Sequence, residues 1–140
     1  MKITMIIFSF LASLLISSIT RAELVVVMRA DAGIQQLSNS EINRIFLDKR
    51  MVLPNGAHAV SVDQPKGSLR DQFYAKFMGK TRAMISAYWA QRLFTGGGRP
   101  PVQMESPEAV VDFLRKTPNA VGYMDDAALP KELRVVARRP

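Results

Sequence analysis

The sequence predicts an α/β domain built as a sheet layered with helices, and three observations lead there. Leu24-Val25-Val26-Val27-Met28 is an unbroken apolar, β-branched run, the pattern of a strand covered on both faces. Turn and capping residues divide the remainder of the chain into segments of strand and helix period in the order β-α-β-α-α-β-α-β-β. The chain has 140 residues, 48% of them hydrophobic, and no cysteine, so its core must hold without disulfides. A domain of this size buries roughly two-thirds of its unfolded surface, which is enough for that.

After the first strand, Ser38-Asn39-Ser40-Glu41 offers capping residues ahead of Ile42, Ile45 and Phe46 at helical spacing. Pro54-Asn55-Gly56 is a turn, and Ala59-Val60-Ser61-Val62 reads as a second strand. Pro65-Lys66-Gly67-Ser68 then breaks the chain before Leu69, Phe73, Phe77 and Met78, the apolar stripe of a helix that Gly79 ends. Thr81 caps a third helix whose Met84, Ile85, Tyr88, Trp89 and Leu93 form a stripe broad enough to lie on a sheet. Gly96-Gly97-Gly98-Arg99-Pro100-Pro101 is a loop, because glycine is permissive and proline lacks a donor. Val102-Gln103-Met104 is a short strand, and Ser106-Pro107-Glu108 combines a capping hydroxyl, proline at the first helical position and an acid in the first turn. Ala109, Val110, Phe113 and Leu114 give that helix its buried face. Val121-Gly122-Tyr123-Met124 and Leu133-Arg134-Val135-Val136 are the last strands, and Asp125-Asp126 between them reads as turn and cap residues.

Charge sets the partners. The formal net charge of +7 would point to a polyanion. However, Met1 to Ala22 has the layout of a secretory signal: Lys2, an apolar stretch from Ile3 to about Ile16, and small residues at Thr20 and Ala22. Cleavage after Ala22 is expected, leaving a domain over 23–140 and no stable membrane span, since the apolar stretch is short of the roughly 20 residues that cross a bilayer. Without Lys2 and Arg21, 17 of the 19 basic residues remain against all 12 acidic ones, a charge of +5 over 118 residues. An exported protein of that charge faces small anions, anionic lipid or an acidic partner, and not nucleic acid.

The chemistry-bearing segment is Asp63-Gln64-Pro65-Lys66-Gly67-Ser68-Leu69-Arg70, which runs from a strand into a helix. Such a turn aims free backbone N–H groups and the positive end of the helix dipole at one point, which suits an oxyanion. Lys66 and Arg70 add charge and Ser68 a hydroxyl, although Ser68 reads equally as an N-cap with the two cations a solvated rim. Gly96-Gly97-Gly98-Arg99 is a second candidate loop, and Ser106 brings another helix N-terminus to the same crevice, outside the carboxyl ends of strands. Neither a P-loop nor a dinucleotide fingerprint is present. His58 is the sole histidine and stands without cysteine, so no metal or other cofactor is expected, and nothing pairs it with a nucleophile. A hydrolase would have to use it, and the chain is read as a non-enzyme.

Three segments carry a resemblance. Leu37-Ser38-Asn39-Ser40-Glu41-Ile42-Asn43-Arg44-Ile45-Phe46-Leu47-Asp48-Lys49, Gly67-Ser68-Leu69-Arg70-Asp71-Gln72-Phe73 and Thr117-Pro118-Asn119-Ala120-Val121-Gly122-Tyr123 resemble, in order, three motifs of the phosphate-binding subunits of phosphate ABC transporters. The resemblance implies a single lobe of a periplasmic-binding-protein-like α/β fold, with a mixed sheet and helices on both faces. It implies phosphate or another small oxyanion as ligand, with Gly67, Ser68, Leu69 and Arg70 carried over by position, and an ABC permease or other envelope protein as partner; the loop and helix-start reading adds Lys66, Arg99 and Ser106 to the candidate site. Aligning Phe73 with the family's phenylalanine sets Gly67 on its serine, Ser68 on its glycine and Leu69 on its threonine, and places Asp63, whose charge would repel phosphate, where many members carry arginine. The family's proteins close a second lobe over phosphate. The expectation is therefore an exported solute-binding-like protein with weak oxyanion affinity, the alternative being an envelope interaction module that keeps the fold without the ligand.

Overall fold

The unbroken run Leu24–Arg29 forms β1, an interior strand of the sheet in the computed structural model, which describes residues 22–47 and 51–139. The predicted leader up to Arg21, and Asp48 and Lys49 of the first motif, lie outside these residues. The elements then come in the expected order: α1 (Asn39–Leu47), β2 (Val60–Asp63), α2 (Ser68–Met78), α3 (Arg82–Phe94), β3 (Val102–Gln103), α4 (Pro107–Lys116), β4 (Ala120–Asp125), a single 3-10 turn (Asp126–Ala128) and β5 (Leu133–Arg138). The strands make one mixed sheet in the order β3-β2-β4-β1-β5. β2 runs parallel to β3 and β4, while β1 pairs antiparallel with β4 and β5.

The two parallel crossovers leave on opposite faces. Val26, Met28, Val121 and Tyr123 meet Ile42, Ile45 and Phe46 of α1, Phe73 and Phe77 of α2 and Ile85 of α3 on one face. Their strand neighbours Val25, Val27, Ala120 and Met124 meet Val110 and Leu114 of α4 on the other. The alternation of side chains along a strand thus gives β1 and β4 two cores at once. Because β2, β3 and β4 are parallel, their carboxyl ends share one end of the sheet, and α2 and α4 begin there. Gly122 is required by this layering: a Cβ on it would stand 2.9 Å from Val62 Cγ1 and 3.1 Å from Leu114 Cδ1, so a side chain would push α4 off the sheet.

Local rules set most helix ends. Ser38 and Glu41 form a reciprocal capping box at α1, Thr81 accepts from the Met84 N–H at α3, and Ser106 accepts from the Ala109 N–H at α4. Gly79 closes α2 in the left-handed conformation at φ 63°. Two expectations need correction. Ser68 is not the N-cap of α2: that position belongs to Gly67, which has no side chain to cap with, and Ser68 is the first helical residue, its Oγ accepting from Gln72 Nε2 at 2.9 Å. In α3 only Ile85 and Trp89 of the five-residue stripe are buried, while Met84 is 48% and Leu93 55% exposed. The helix packs chiefly against α2 instead of lying on the sheet, so a narrower stripe suffices.

Candidate functional site

The end of β2 delivers Asp63 and Gln64, both almost fully buried, directly beneath the start of α2. A buried carboxylate needs compensation, and Asp63 has four donors. Arg70 Nε reaches Oδ2 at 2.8 Å, the Tyr74 hydroxyl reaches Oδ2 at 2.9 Å, the Tyr123 hydroxyl donates to Oδ1, and the Gln64 N–H reaches Oδ1 at 3.1 Å. With four donors turned onto it, the Asp63 carboxylate is engaged within the fold. It is a counter-ion that holds Arg70, whose guanidinium also lies over the Tyr74 ring at 4.9 Å.

Electrostatics favour a charged Arg70 and un-ionised hydroxyls on Tyr74 and Tyr123. Burial pulls the Arg70 pKa down, but the charge and hydrogen bond of Asp63 outweigh it and the net shift is upward. Burial, reinforced by the Asp63 charge, drives both Tyr74 and Tyr123 far above the ordinary tyrosine value. An unfolded tyrosine loses its proton near pH 10, so above that pH the folded chain binds more protons than the unfolded one. The stability these hydroxyls contribute is accordingly complete below about pH 10 and falls as pH rises, by up to about 1.4 kcal/mol per pH unit for each tyrosine. Urea unfolding measured from pH 8 to pH 11 should show this slope, and Tyr123→Phe should flatten it. Equal slopes in the two proteins would contradict the burial of an un-ionised hydroxyl on Asp63.

Around this buried pair the α2 N-terminus is open. The first bond of the helix is Asp71 N–H to Gly67 O at 3.0 Å, which leaves the N–H groups of Ser68, Leu69 and Arg70 without intrahelical acceptors. Only the Nε of Arg70 is used by Asp63, and Lys66 is exposed beside the turn. Lys66, Gly67, Ser68, Leu69 and Arg70 thus follow one another on this turn, with Lys66 at the surface and the Arg70 guanidinium held by Asp63. Ser106, at the start of α4, lies at the same end of the sheet, with its Oγ engaged by the Ala109 N–H. Arg99 does not join them: it sits on the exposed loop that enters β3 from its amino end, away from the carboxyl ends where α2 and α4 begin.

Between the first turns of α2 and α4 lies a groove of about 370 Å³, lined by Gln64, Leu69, Val111 and Met124 with Glu108 and Asp125 among its polar groups. Gln64 is 1% exposed, its Nε2 donates to the Tyr123 carbonyl at 2.8 Å, and its Oε1 has no hydrogen-bond partner. The roles of Tyr74, Tyr123 and Gln64 could not be anticipated from sequence motifs. The one available signal was polar residues at positions otherwise due to be core. His58 is exposed, its backbone oxygen accepting from Asn119 Nδ2. Among the described residues no helix is long and apolar enough to cross a membrane, and no three His, Asp or Glu side chains come together as metal ligands.

This mixed sheet with helices on both faces is an α/β fold that matches solved phosphate-binding proteins. No protein-family model matches the sequence, and no curated protein does. Among solved structures, the chain superposes on a protein described as a phosphate ABC transporter substrate-binding protein with bound phosphate, from Clostridium perfringens, with a TM-score of 0.64 at 15% identity. The match covers 82% of this chain and 44% of that one. An ABC-type phosphate transport receptor from Vibrio cholerae gives 0.64 and 15%, with 82% and 45% coverage. A protein from Planctomyces limnophilus DSM 3776 described as phosphate-binding gives 0.57 and 13%, with 82% and 40% coverage. The chain thus spans less than half the length of the solved proteins whose fold it shares.

Proposed function

We propose that this is an exported, non-enzymatic solute-binding-like protein of the periplasm that holds a small oxyanion, phosphate in the first place, at the α2 N-terminus. The observation that carries the reading is the open turn Lys66–Arg70 over a buried ion pair: free backbone donors and the Ser68 hydroxyl stand beside the exposed Lys66, and Asp63 holds the Arg70 guanidinium beneath them. The likeness to phosphate-binding folds supports the same ligand class. The turn lies at the surface, so water competes for the anion, and the affinity should be weak and fall with salt. Calorimetric titration of the purified protein with inorganic phosphate tests this. Saturable binding that weakens from low to high salt is expected, and Lys66→Ala should reduce affinity by up to about fivefold, as befits an exposed charge. No heat at millimolar phosphate would overturn the reading.

A separate observation favours the interaction-module alternative, which would dock an envelope protein such as an ABC permease. Phe94 is 94% and its neighbour Leu93 55% exposed at the end of α3, and large apolar side chains held side by side at the surface suit a contact with another protein. Binding of a partner that survives Lys66→Ala and is lost in Phe94→Ser would assign the protein to that class.

A further inference from the structure

We propose that the groove beside the α2 turn receives the organic half of the ligand, so that the full ligand is a short aminoalkyl phosphate: its anionic group on Gly67–Arg70, its carbon chain along Leu69, Val111 and Met124, and its ammonium group against Gln64 Oε1, Asp125 and Glu108. The inference rests on the oxyanion reading and extends it. Leu69 joins the two halves, because its backbone N–H belongs to the open turn while its side chain lines the groove. At about 370 Å³ the groove is at the small end of the range of about 300–1,000 Å³ typical of ligand pockets. Inorganic phosphate would leave it unfilled.

The polar groups of the groove select the sign of what enters. Gln64 is buried with an unpartnered oxygen acceptor, and its amide cannot simply turn over, because Nε2 is committed to the Tyr123 carbonyl at 2.8 Å. An orphaned buried acceptor is costly and calls for a donor. Asp125 has Oδ1 engaged by the Ala127 N–H, leaving Oδ2 open, and the Glu108 carboxylate has no hydrogen-bond or ion-pair partner among the described residues. Arg115, the cation of the groove, faces Glu132 at 3.5 Å. Two carboxylates and a bare carbonyl oxygen disfavour a second anion and suit an ammonium group. The apolar wall between them and the α2 turn suits a short carbon chain and would waste a fully polar ligand.

The test is calorimetric titration of the purified protein with inorganic phosphate, ethyl phosphate, 2-aminoethyl phosphate and ethylamine under one buffer. 2-Aminoethyl phosphate is expected to bind at least about tenfold more tightly than ethyl phosphate, the lower end of what a charge-assisted hydrogen bond contributes. In Glu108→Gln and Gln64→Leu that ratio should shrink toward one. If 2-aminoethyl phosphate binds no better than ethyl phosphate or inorganic phosphate, the aminoalkyl assignment is wrong while oxyanion binding stands. If none of the phosphates binds, both readings fall, and binding of ethylamine alone would also overturn the proposal.

Discussion

Asp63→Ala is expected to destabilise the protein by about 3–5 kcal/mol, the range for removing one partner of a buried ion pair. Arg70, with its side chain 12% exposed, would be left charged without its counter-ion, and the Tyr74 and Tyr123 hydroxyls would lose their acceptor. Asp63→Asn should fall between this and the wild type, since an amide oxygen still accepts from two or three of the donors but carries no charge. The pair itself need not stabilise the fold. Asp63→Leu combined with Arg70→Met, Tyr74→Phe and Tyr123→Phe should therefore recover most of the loss, because apolar residues often replace a buried pair without penalty once no buried donor is left unpartnered. Urea denaturation of the wild type and the three variants checks the pattern. A loss below about 1 kcal/mol in Asp63→Ala would mean that the pair is exposed to water in solution, where such bridges contribute little.

Phe73→Ala is expected to remove a comparable amount, about 3–5 kcal/mol, by transfer loss and cavity formation. Phe73 is fully buried, and its ring lies face to face with Tyr123, centroids 3.8 Å apart and planes 4° from parallel. It also meets Phe46 edge-on at 4.7 Å, so one side chain ties α1, α2 and β4 together. The same contact holds the Tyr123 ring where its hydroxyl reaches Asp63. Phe73→Leu, which keeps much of the volume, should lose less, and both changes should weaken phosphate binding as well as stability because they loosen the support of Arg70. Thermal unfolding paired with phosphate titration measures the two effects. A stability loss with unchanged affinity would separate the aromatic cluster from the site.

Elements whose cause is local were legible in the sequence. The Leu24–Met28 run announced a strand with two covered faces, and Ser106-Pro107-Glu108 announced a helix start, because each signal lies within a few residues of its effect. Even β3, two residues long, could be placed from the loop before it and the cap after it. What escaped depends on distant partners. Asp63 read as a repulsive charge because the Tyr123 hydroxyl that helps compensate its burial lies 60 positions away and Tyr74 gave no sign of pointing inward. Met84 and Leu93 read as core because periodicity reports an apolar face and not how much of it a neighbouring helix covers. The convergence of Lys66–Arg70 with Ser106 came from strand and helix order, whereas the separation of Arg99 depends on which end of β3 its loop enters.

The central claim is that a small oxyanion is held by the backbone donors of the α2 turn above the Asp63–Arg70 pair. The most direct measurement is a two-dimensional amide NMR titration of the protein with inorganic phosphate. Saturable shifts centred on the N–H signals of Gly67, Ser68, Leu69 and Arg70, with matching changes at the Arg70 side chain, are predicted. Shifts confined to other surfaces, or spectra unchanged at millimolar phosphate, would contradict it.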